Sequence, residues 1–395
     1  MRRISIFGAT GSIGENTVDL IERQGGAEAH DVVALTGGRN VARLAEQARA
    51  LRAEVAVTCE PTLYGALKEA LAGSGIEAAA GAQALIEAAD RPADWTMSAI
   101  VGAAGLAPGF RALRHGGTLA LANKESLVTA GQLLLSEAAA HGATILPVDS
   151  EHSAVFQALV GEDIAAVERV IITASGGPFR DWSRERLAVA TVAEARAHPN
   201  WSMGLRISID SATLFNKALE LIETREYFGI PPARIEAVVH PQSIVHALVG
   251  FADGALMAHL GPADMRHAIG YALNWPERRE VPVERLDLAR LGSLTFEAPD
   301  ETRFPALRLA REVMETRGLA GAAFNAAKEV ALDAFLAGRL GFLGMAEAVE
   351  ETLARLSAAQ GLTIAPNSLD TVLGMDHLAR SMATEVIATQ AVARA

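Results

Sequence analysis

The strongest constraint on how this chain can fold is an alternation that runs through its first 149 residues. Short apolar runs occur at residues 4–7, 32–35, 54–58, around Ile100 and Val101, and at 118–121 and 144–148. Stretches rich in Ala, Leu, Glu and Arg fill the gaps, such as residues 41–51. Repeated strand–helix alternation reads as a parallel sheet covered by helices on both faces. After Asp149 the pattern changes. Residues 170–174, 237–240 and 244–249 read as longer strands between polar, Pro-bearing loops, an α+β arrangement. From about residue 305 onward, apolar residues recur at helical spacing over 319–336, 344–356 and 368–389, with Gly361 and Pro366 punctuating the last two. The expected architecture is therefore α/β. A Rossmann-like parallel sheet fills 1–149, an α+β domain 150–274, a linker 275–304 and a helical bundle 305–395.

Composition narrows the class of protein. A length of 395 residues suits two or three domains, and 50% hydrophobic with 21% charged residues suits a globular protein with a large core. A formal net charge of -12 argues against a nucleic-acid partner, which needs a basic face. The single cysteine, Cys59, allows no disulfide within the chain and points to a reducing, cytoplasmic setting. Arg2 and Arg3 precede an apolar stretch that breaks at Gly8, too soon for a secretory signal. The charge-free run near residues 97–110 is Gly-rich and too short to span a bilayer. No targeting segment and no membrane span are expected.

The first apolar run ends in Gly8-Ala9-Thr10-Gly11-Ser12-Ile13-Gly14, which opens a helix. Phosphate chemistry explains such glycines. The turn must be tight, the backbone must approach a pyrophosphate closely, and a helix N-terminus offers free N–H groups. Thr10 and Ser12 add hydroxyl donors. The same glycines would also serve a plain tight turn. At the end of the second apolar run stand Thr36, Gly37, Gly38, Arg39 and Asn40. No acid is present there for a ribose 2′-hydroxyl, and Arg39 suits a 2′-phosphate, which favours NADP over NAD. The alternative makes Arg39 a surface residue and Asn40 a helix cap.

Asp149 and Glu151 close the run at 144–148. In extended geometry, residues two apart point to one side. Two such carboxylates repel unless a cation or protons hold them. Further on, residues 210–223 read as a helix capped at or near Asp210, with Asn216, Glu220 and Glu223 on one face. Asp149, Glu151 and Glu220 are expected to form an all-oxygen site, suited to Mg²⁺ or Mn²⁺. The bland alternatives are a solvated loop and a wet helix face. The loop from Thr173 through Ser175, Gly176 and Gly177 offers hydroxyl and N–H donors for an oxyanion. The segment His198-Pro199-Asn200-Trp201-Ser202-Met203-Gly204 reads as a lid, or else as a loop anchored by a buried aromatic.

Taken together, these segments resemble the deoxyxylulose-phosphate reductoisomerases nearly end to end. The resemblance rests on GATGSIG at Gly8, VGAAGL at Val101, LANKESLV at Leu121 and LPVDSEHSA at Leu146. It continues through ASGGPF at Ala174, HPNWSMG at His198, ISIDSATLFNKALELIE at Ile207 and HPQSIVH at His240. It implies an NADPH- and divalent-metal-dependent enzyme whose catalytic domain is the central one. The reaction would rearrange 1-deoxy-D-xylulose 5-phosphate by retro-aldol and aldol steps and reduce it to 2-C-methyl-D-erythritol 4-phosphate. By the same resemblance, Thr10, Gly11, Ser12, Ile13, Gly38, Arg39 and Asn40 would bind NADPH, with Asn123, Glu125 and Gly204 bordering it. Asp149, Glu151 and Glu220 would hold the metal, with Glu223 nearby. Lys124 and Ser150 would meet the reacting part of the substrate. Ser175, Ser211, Asn216 and Lys217 would hold its phosphate, and His198 would bind substrate. Trp201 and Met203 would belong to the lid, and the protein would be a homodimer.

Three places depart from the family pattern: Arg39 where Lys is also common, Lys328 where Asn is expected, and Gly261-Pro262-Ala263-Asp264 where Gly-x-Pro-Asp is expected. Two competing readings remain. One is an NADP-dependent, metal-assisted dehydrogenase without rearrangement, and the other a non-catalytic NADPH-binding sensor.

Overall fold

A computed structural model describes residues 1–199, 201, 204–359 and 361–394. Met203, expected in the lid, lies outside the described residues, as do Asn200 and Ser202. The chain forms two compact units, one of residues 1–126, 134–153 and 264–284, the other of residues 127–133, 154–263 and 285–395.

The first unit is built on seven strands, β1 (Arg2–Phe7), β2 (His30–Gly37), β3 (Val55–Thr58), β4 (Glu77–Ala80), β5 (Trp95–Ser98), β6 (Thr118–Leu121) and β7 (Thr144–Pro147). They lie in the order β4-β3-β2-β1-β5-β6-β7, and every pairing is parallel. The central strands read as continuous apolar runs, as a sheet covered on both faces requires. Ile4, Ile6, Val33, Ala34 and Leu35 are each 0% exposed. The chain enters at the centre, winds to one edge and returns to the other. The reversal falls between β1 and β5, and the loops at the carboxyl ends of the strands there form the crevice where such sheets bind ligands.

Two strands differ from the expectation. The run around Ile100 and Val101 is loop, with Val101 61% exposed, and the strand lies earlier at Trp95–Ser98. Trp95 and Met97 supply its buried apolar side chains. β4 has only Glu and Ala side chains at the sheet edge, so it carries no apolar signal.

Four helices position the groups of the site: α1 (Ser12–Arg23), α2 (Val41–Ala50), α3 (Lys124–His141) and α4 (Ser150–Ala158). α1 buries Gly14, Thr17, Val18, Leu20 and Ile21, a stripe at helical spacing. A further helix over Arg266–Asn274 belongs to the same unit, and the Trp95 indole N–H donates to Ala272 O at 3.0 Å.

The second unit carries a mixed sheet of β8 (Val167–Ala174), β9 (Ile235–Val239), β10 (Val245–Phe251) and β11 (Leu256–Leu260), in the order β11-β10-β8-β9. β8 and β9 are parallel, whereas β10 runs antiparallel to β8 and β11. Helices α5 (Leu205–Ala212) and α6 (Phe215–Phe228) precede β9. The C-terminal part is helical: α7 (Ala306–Thr316), α8 (Ala320–Leu336), α9 (Phe342–Ala358) and α10 (Leu369–Arg394). α8 is buried nearly all round, from Ala320 to Phe335, and packs against α9 and α10. Small Ala side chains allow that close packing. No helix among the described residues is long and apolar enough to cross a membrane.

Candidate active site

The glycine turn sits at the carboxyl end of β1. Gly8 N–H and Ala9 N–H both donate to Thr36 O, at 3.2 and 2.7 Å, tying the turn to β2. Gly8 has φ +93°, and a Cβ there would lie 2.6 Å from Ala99 O. At Gly14 a Cβ would lie 2.2 Å from Gly8 O, so only glycine lets α1 start so near the turn. Gly11 caps α1 without a side chain, and the first backward bond runs from Glu15 N–H to Gly11 O at 2.8 Å. The amides of Ser12, Ile13 and Gly14 are thus the donors that a helix start leaves for an anion. This cradle fits a pyrophosphate on geometry alone.

Gly38, Arg39 and Asn40 follow the neighbouring strand β2. The Arg39 side chain is 86% exposed, with its Nε 3.3 Å from Glu60 Oε1. An exposed guanidinium at this edge can turn toward a phosphate. Asn40 Oδ1 accepts from Arg43 N–H at 3.3 Å, so the helix-cap alternative holds for that side chain.

Across the reversal point, the ends of β6 and β7 supply the next group. Asn123 caps α3: its Oδ1 accepts from Ser126 N–H at 3.1 Å, and its Nδ2 donates to Ile100 O, Gly102 O and Glu125 Oε2. That amide fixes the loop after β5 and orients Glu125. Lys124 Nζ lies 2.6 Å from Asp149 Oδ2, with the two side chains 17% and 9% exposed. Asp149 Oδ1 accepts from Glu151 N–H at 3.1 Å and His152 N–H at 3.4 Å, and lies 3.1 Å from His152 Nδ1. A carboxylate only accepts, so the His152 proton sits on Nδ1. Ser150 Oγ donates to Glu151 Oε2 at 2.8 Å.

The expected extended geometry of Asp149 and Glu151 is therefore corrected. β7 ends at Pro147, and Asp149 starts α4. Helix capping, rather than strand alternation, brings the two carboxylates near each other.

In the second unit, Glu220 is 0% exposed and Glu223 2%, which overturns the wet-face alternative. Asn216 Nδ2 donates to Glu220 Oε1 at 2.6 Å, and Lys217 Nζ pairs with Glu220 Oε2. Asp210 does not cap this helix. It lies inside α5, and Leu214, at φ 59°, separates α5 from α6.

Ser175 and His198 meet here as well, with Oγ 2.9 Å from Nε2. Trp201 N–H donates to His198 Nδ1 at 2.9 Å, so Nε2 carries the proton and donates to Ser175 Oγ. Burial holds the His198 pKa below the ordinary histidine value. Gly177, at φ +66°, presses the Ser175 loop onto the end of α5, where an added Cβ would lie 2.9 Å from Ser211 O. Ser175, His198 and the Ser211 corner thus share one neighbourhood. Gly204 caps α5 with open space around its Cα, and the Trp201 ring lies 6.5 Å from that of His246.

In the first unit, Asp149 and Glu151 offer carboxylate oxygens within 4.8 Å of each other, and in the second unit Glu220 offers a third carboxylate. The set is all carboxylate, as a hard cation prefers. Sequence reasoning leaves two partners unassigned: His152, although it lies within the DSEH motif, and Asp210 as the partner of Lys328, for which sequence offers no signal.

Comparison with known proteins bears on these groups. Residues 4–131 match the family described as 1-deoxy-D-xylulose 5-phosphate reductoisomerase, and residues 145–228 match its C-terminal domain. Residues 260–382 match a DXP reductoisomerase C-terminal domain. A 1-deoxy-D-xylulose 5-phosphate reductoisomerase of Cereibacter sphaeroides (strain ATCC 17029 / ATH 2.4.9) is 74% identical over 385 residues, 98% of each chain. That of Paracoccus denitrificans (strain Pd 1222) is 63% identical over 385 residues, 98% of this chain and 99% of the other. Among solved structures, the Zymomonas mobilis enzyme in complex with NADPH is 49% identical, with TM-score 0.91 over 98% of this chain and 99% of that one. A DOX-P reductoisomerase in complex with NADPH, fosmidomycin and magnesium is 40% identical, with TM-score 0.92 over 98% of each chain.

Proposed function

Because this chain belongs to the 1-deoxy-D-xylulose 5-phosphate reductoisomerase family, we propose that Asp149, Glu151 and Glu220 hold its divalent cation beside an NADPH bound at the Gly8–Gly14 turn. The chain is an NADPH- and metal-dependent enzyme of isoprenoid biosynthesis that converts 1-deoxy-D-xylulose 5-phosphate to 2-C-methyl-D-erythritol 4-phosphate. The observation that carries the site assignment is the donor set: Asp149 and Glu151 come together at the start of α4, and Glu220 presents a fully buried carboxylate on α6. Buried carboxylates such as these need compensating cations.

When bound, the cation supplies Lewis-acid polarisation of the substrate's ketone and neighbouring hydroxyl, and NADPH supplies the reducing equivalents. The chain's own groups do the rest. Thr10, Gly11, Ser12 and Ile13 receive the coenzyme pyrophosphate, Gly38 and Asn40 line the ribose, and Arg39 takes the 2′-phosphate. Asn123, Glu125 and Gly204 border the coenzyme. His152 and the amide groups at the start of α4 orient Asp149, and Asn216 orients Glu220. Lys124 and Ser150 face the reacting carbons. Ser175, Ser211, Asn216 and Lys217 clamp the phosphate, with His198 steering Ser175. Binding energy from the phosphate then holds the reacting atoms in place.

The protein works as a cytoplasmic homodimer in this reading. Its support is the outer edge of β11, where Leu256 and Met257 are 49% and 38% exposed, a combination that a second copy would cover. The test of the site is NADPH oxidation with 1-deoxy-D-xylulose 5-phosphate, with and without Mg²⁺ or Mn²⁺, in Glu220→Gln. Turnover should fall by on the order of a thousandfold while the NADPH Kd stays near that of the parent. Undiminished turnover would remove Glu220 from the metal site.

A further inference from the structure

A lysine and an aspartate lie buried together in the second unit, and neither is one of the three proposed metal ligands. Lys328 of α8 is 3% exposed and Asp210 of α5 is 7% exposed, and Lys328 Nζ lies 3.0 Å from Asp210 Oδ2. The other oxygen, Asp210 Oδ1, is buried and accepts no hydrogen bond among the described residues. Burying such a pair costs desolvation on both sides, so an apolar pair of similar volume would stabilise the fold at least as well. What a charged pair adds is a directional, length-specific tether.

The tether acts at a corner. Asp210 directly precedes Ser211 in the last turn of α5, and Thr213 Oγ1 bonds back to Ile209 O at 2.9 Å and Asp210 O at 3.2 Å. Leu214 then turns left-handed, and α6 begins with Phe215, Asn216 and Lys217. The last turn of α5 therefore sets where Ser211, Asn216 and Lys217 stand. The backbone of Ser211 also bears on Gly177, so any shift of this turn reaches the Ser175 loop.

We propose that Lys328 is a positioning residue which, through Asp210, fixes the α5–α6 corner so that Ser211, Asn216 and Lys217 meet the substrate phosphate. The inference rests on the assignment of those three residues to the phosphate and adds the group that holds the clamp in register. Loss of the ammonium leaves the Asp210 carboxylate buried without its cation, and it must turn or rise toward water, carrying Ser211 with it.

The experiment compares Lys328→Met, Lys328→Arg, the double variant Asp210→Asn with Lys328→Met, and Asn216→Ala. The readouts are KM and kcat for 1-deoxy-D-xylulose 5-phosphate at saturating NADPH and Mg²⁺, the NADPH Kd, and Tm. Lys328→Met should raise KM about tenfold, with a smaller change in kcat and an unchanged NADPH Kd. Lys328→Arg, which keeps the charge, should recover most of the KM. The double variant should recover Tm, because no lone charge stays buried, but not KM, because the tether is gone. If Lys328→Met fails to fold, the double variant decides alone: a raised KM supports the tether and a parental KM refutes it. A fall in Tm with KM unmoved, or a double variant that restores both, would overturn the proposal. Asn216→Ala separates the two layers. If it leaves KM unchanged, the phosphate clamp itself fails. If it raises KM while the Lys328 variants do not, only the tether fails.

Discussion

Gly14→Ala tests the proposed coenzyme turn more sharply than any charge change. The new Cβ would stand 2.2 Å from Gly8 O and 2.5 Å from both Ala9 C and Ala9 Cα, while ordinary contact begins at 3.4 Å. The shortfall is 3.4 − 2.2 = 1.2 Å, and every atom in the way is backbone. The turn cannot yield easily, because the Gly8 and Ala9 amides are tied to Thr36 O. The start of α1 must therefore retreat by about 1 Å, at an overpacking cost of roughly 1–3 kcal/mol. The same retreat would draw the amides of residues 12–14 away from the proposed pyrophosphate position. Losing even one or two hydrogen bonds to a charged group, at about 1.5–3 kcal/mol each, raises the NADPH Kd by roughly a hundredfold. The assay is NADPH titration followed by protein fluorescence, with thermal unfolding run on the same samples. Gly11→Ala is the control. Its Cβ would sit 3.4 Å from Gly8 O at φ −83°, so its Tm should match the parent. A folded Gly14→Ala protein that binds NADPH as tightly as the parent would refute the reasoning.

Two more outcomes rest on single contacts. Trp95→Phe removes the fully buried indole N–H that donates to Ala272 O at 3.0 Å and should lower stability by about 1–3 kcal/mol in urea unfolding. An unchanged midpoint would contradict the contact. His198 is held below its ordinary pKa by burial, so its neutral form is favoured by folding. That contribution is fully present above the unfolded value of about 6.5 and is lost as pH falls through the lower folded value. An NMR titration of the ring should find a midpoint below 6.5, and one at or above it would reject the buried environment.

Much of the architecture is legible in the residues themselves. The strand at Thr118–Leu121 has the bounds its apolar run predicts, because Gly117 and a polar turn delimit it. The helices after residue 305 follow from spacing alone. β4 escapes such reading because Ala carries no strand preference, and β5 is expected too late because the Gly-rich loop beyond it is also apolar. At the site, residue identity is more legible than geometry. The approach of Asp149 and Glu151 comes from a helix cap, which alternation does not predict. The burial of Glu220 depends on the packing around α6, which a helical pattern of charges conceals. Lys328 and Asp210 are 118 positions apart, so only the folded chain pairs them.

The helix over Arg266–Asn274 belongs to the seven-stranded unit although more than a hundred residues separate it from β7. It buries Ala268 to Leu273 and supplies the carbonyl that satisfies Trp95. On the ribosome, the seven-stranded unit therefore cannot close until synthesis has passed residue 284, when much of the second unit has already emerged. A fragment cut after β7 would leave an apolar face wet and an indole without its acceptor. Such a piece should be sticky and short-lived, so the two halves of this enzyme mature as one product rather than as separable modules.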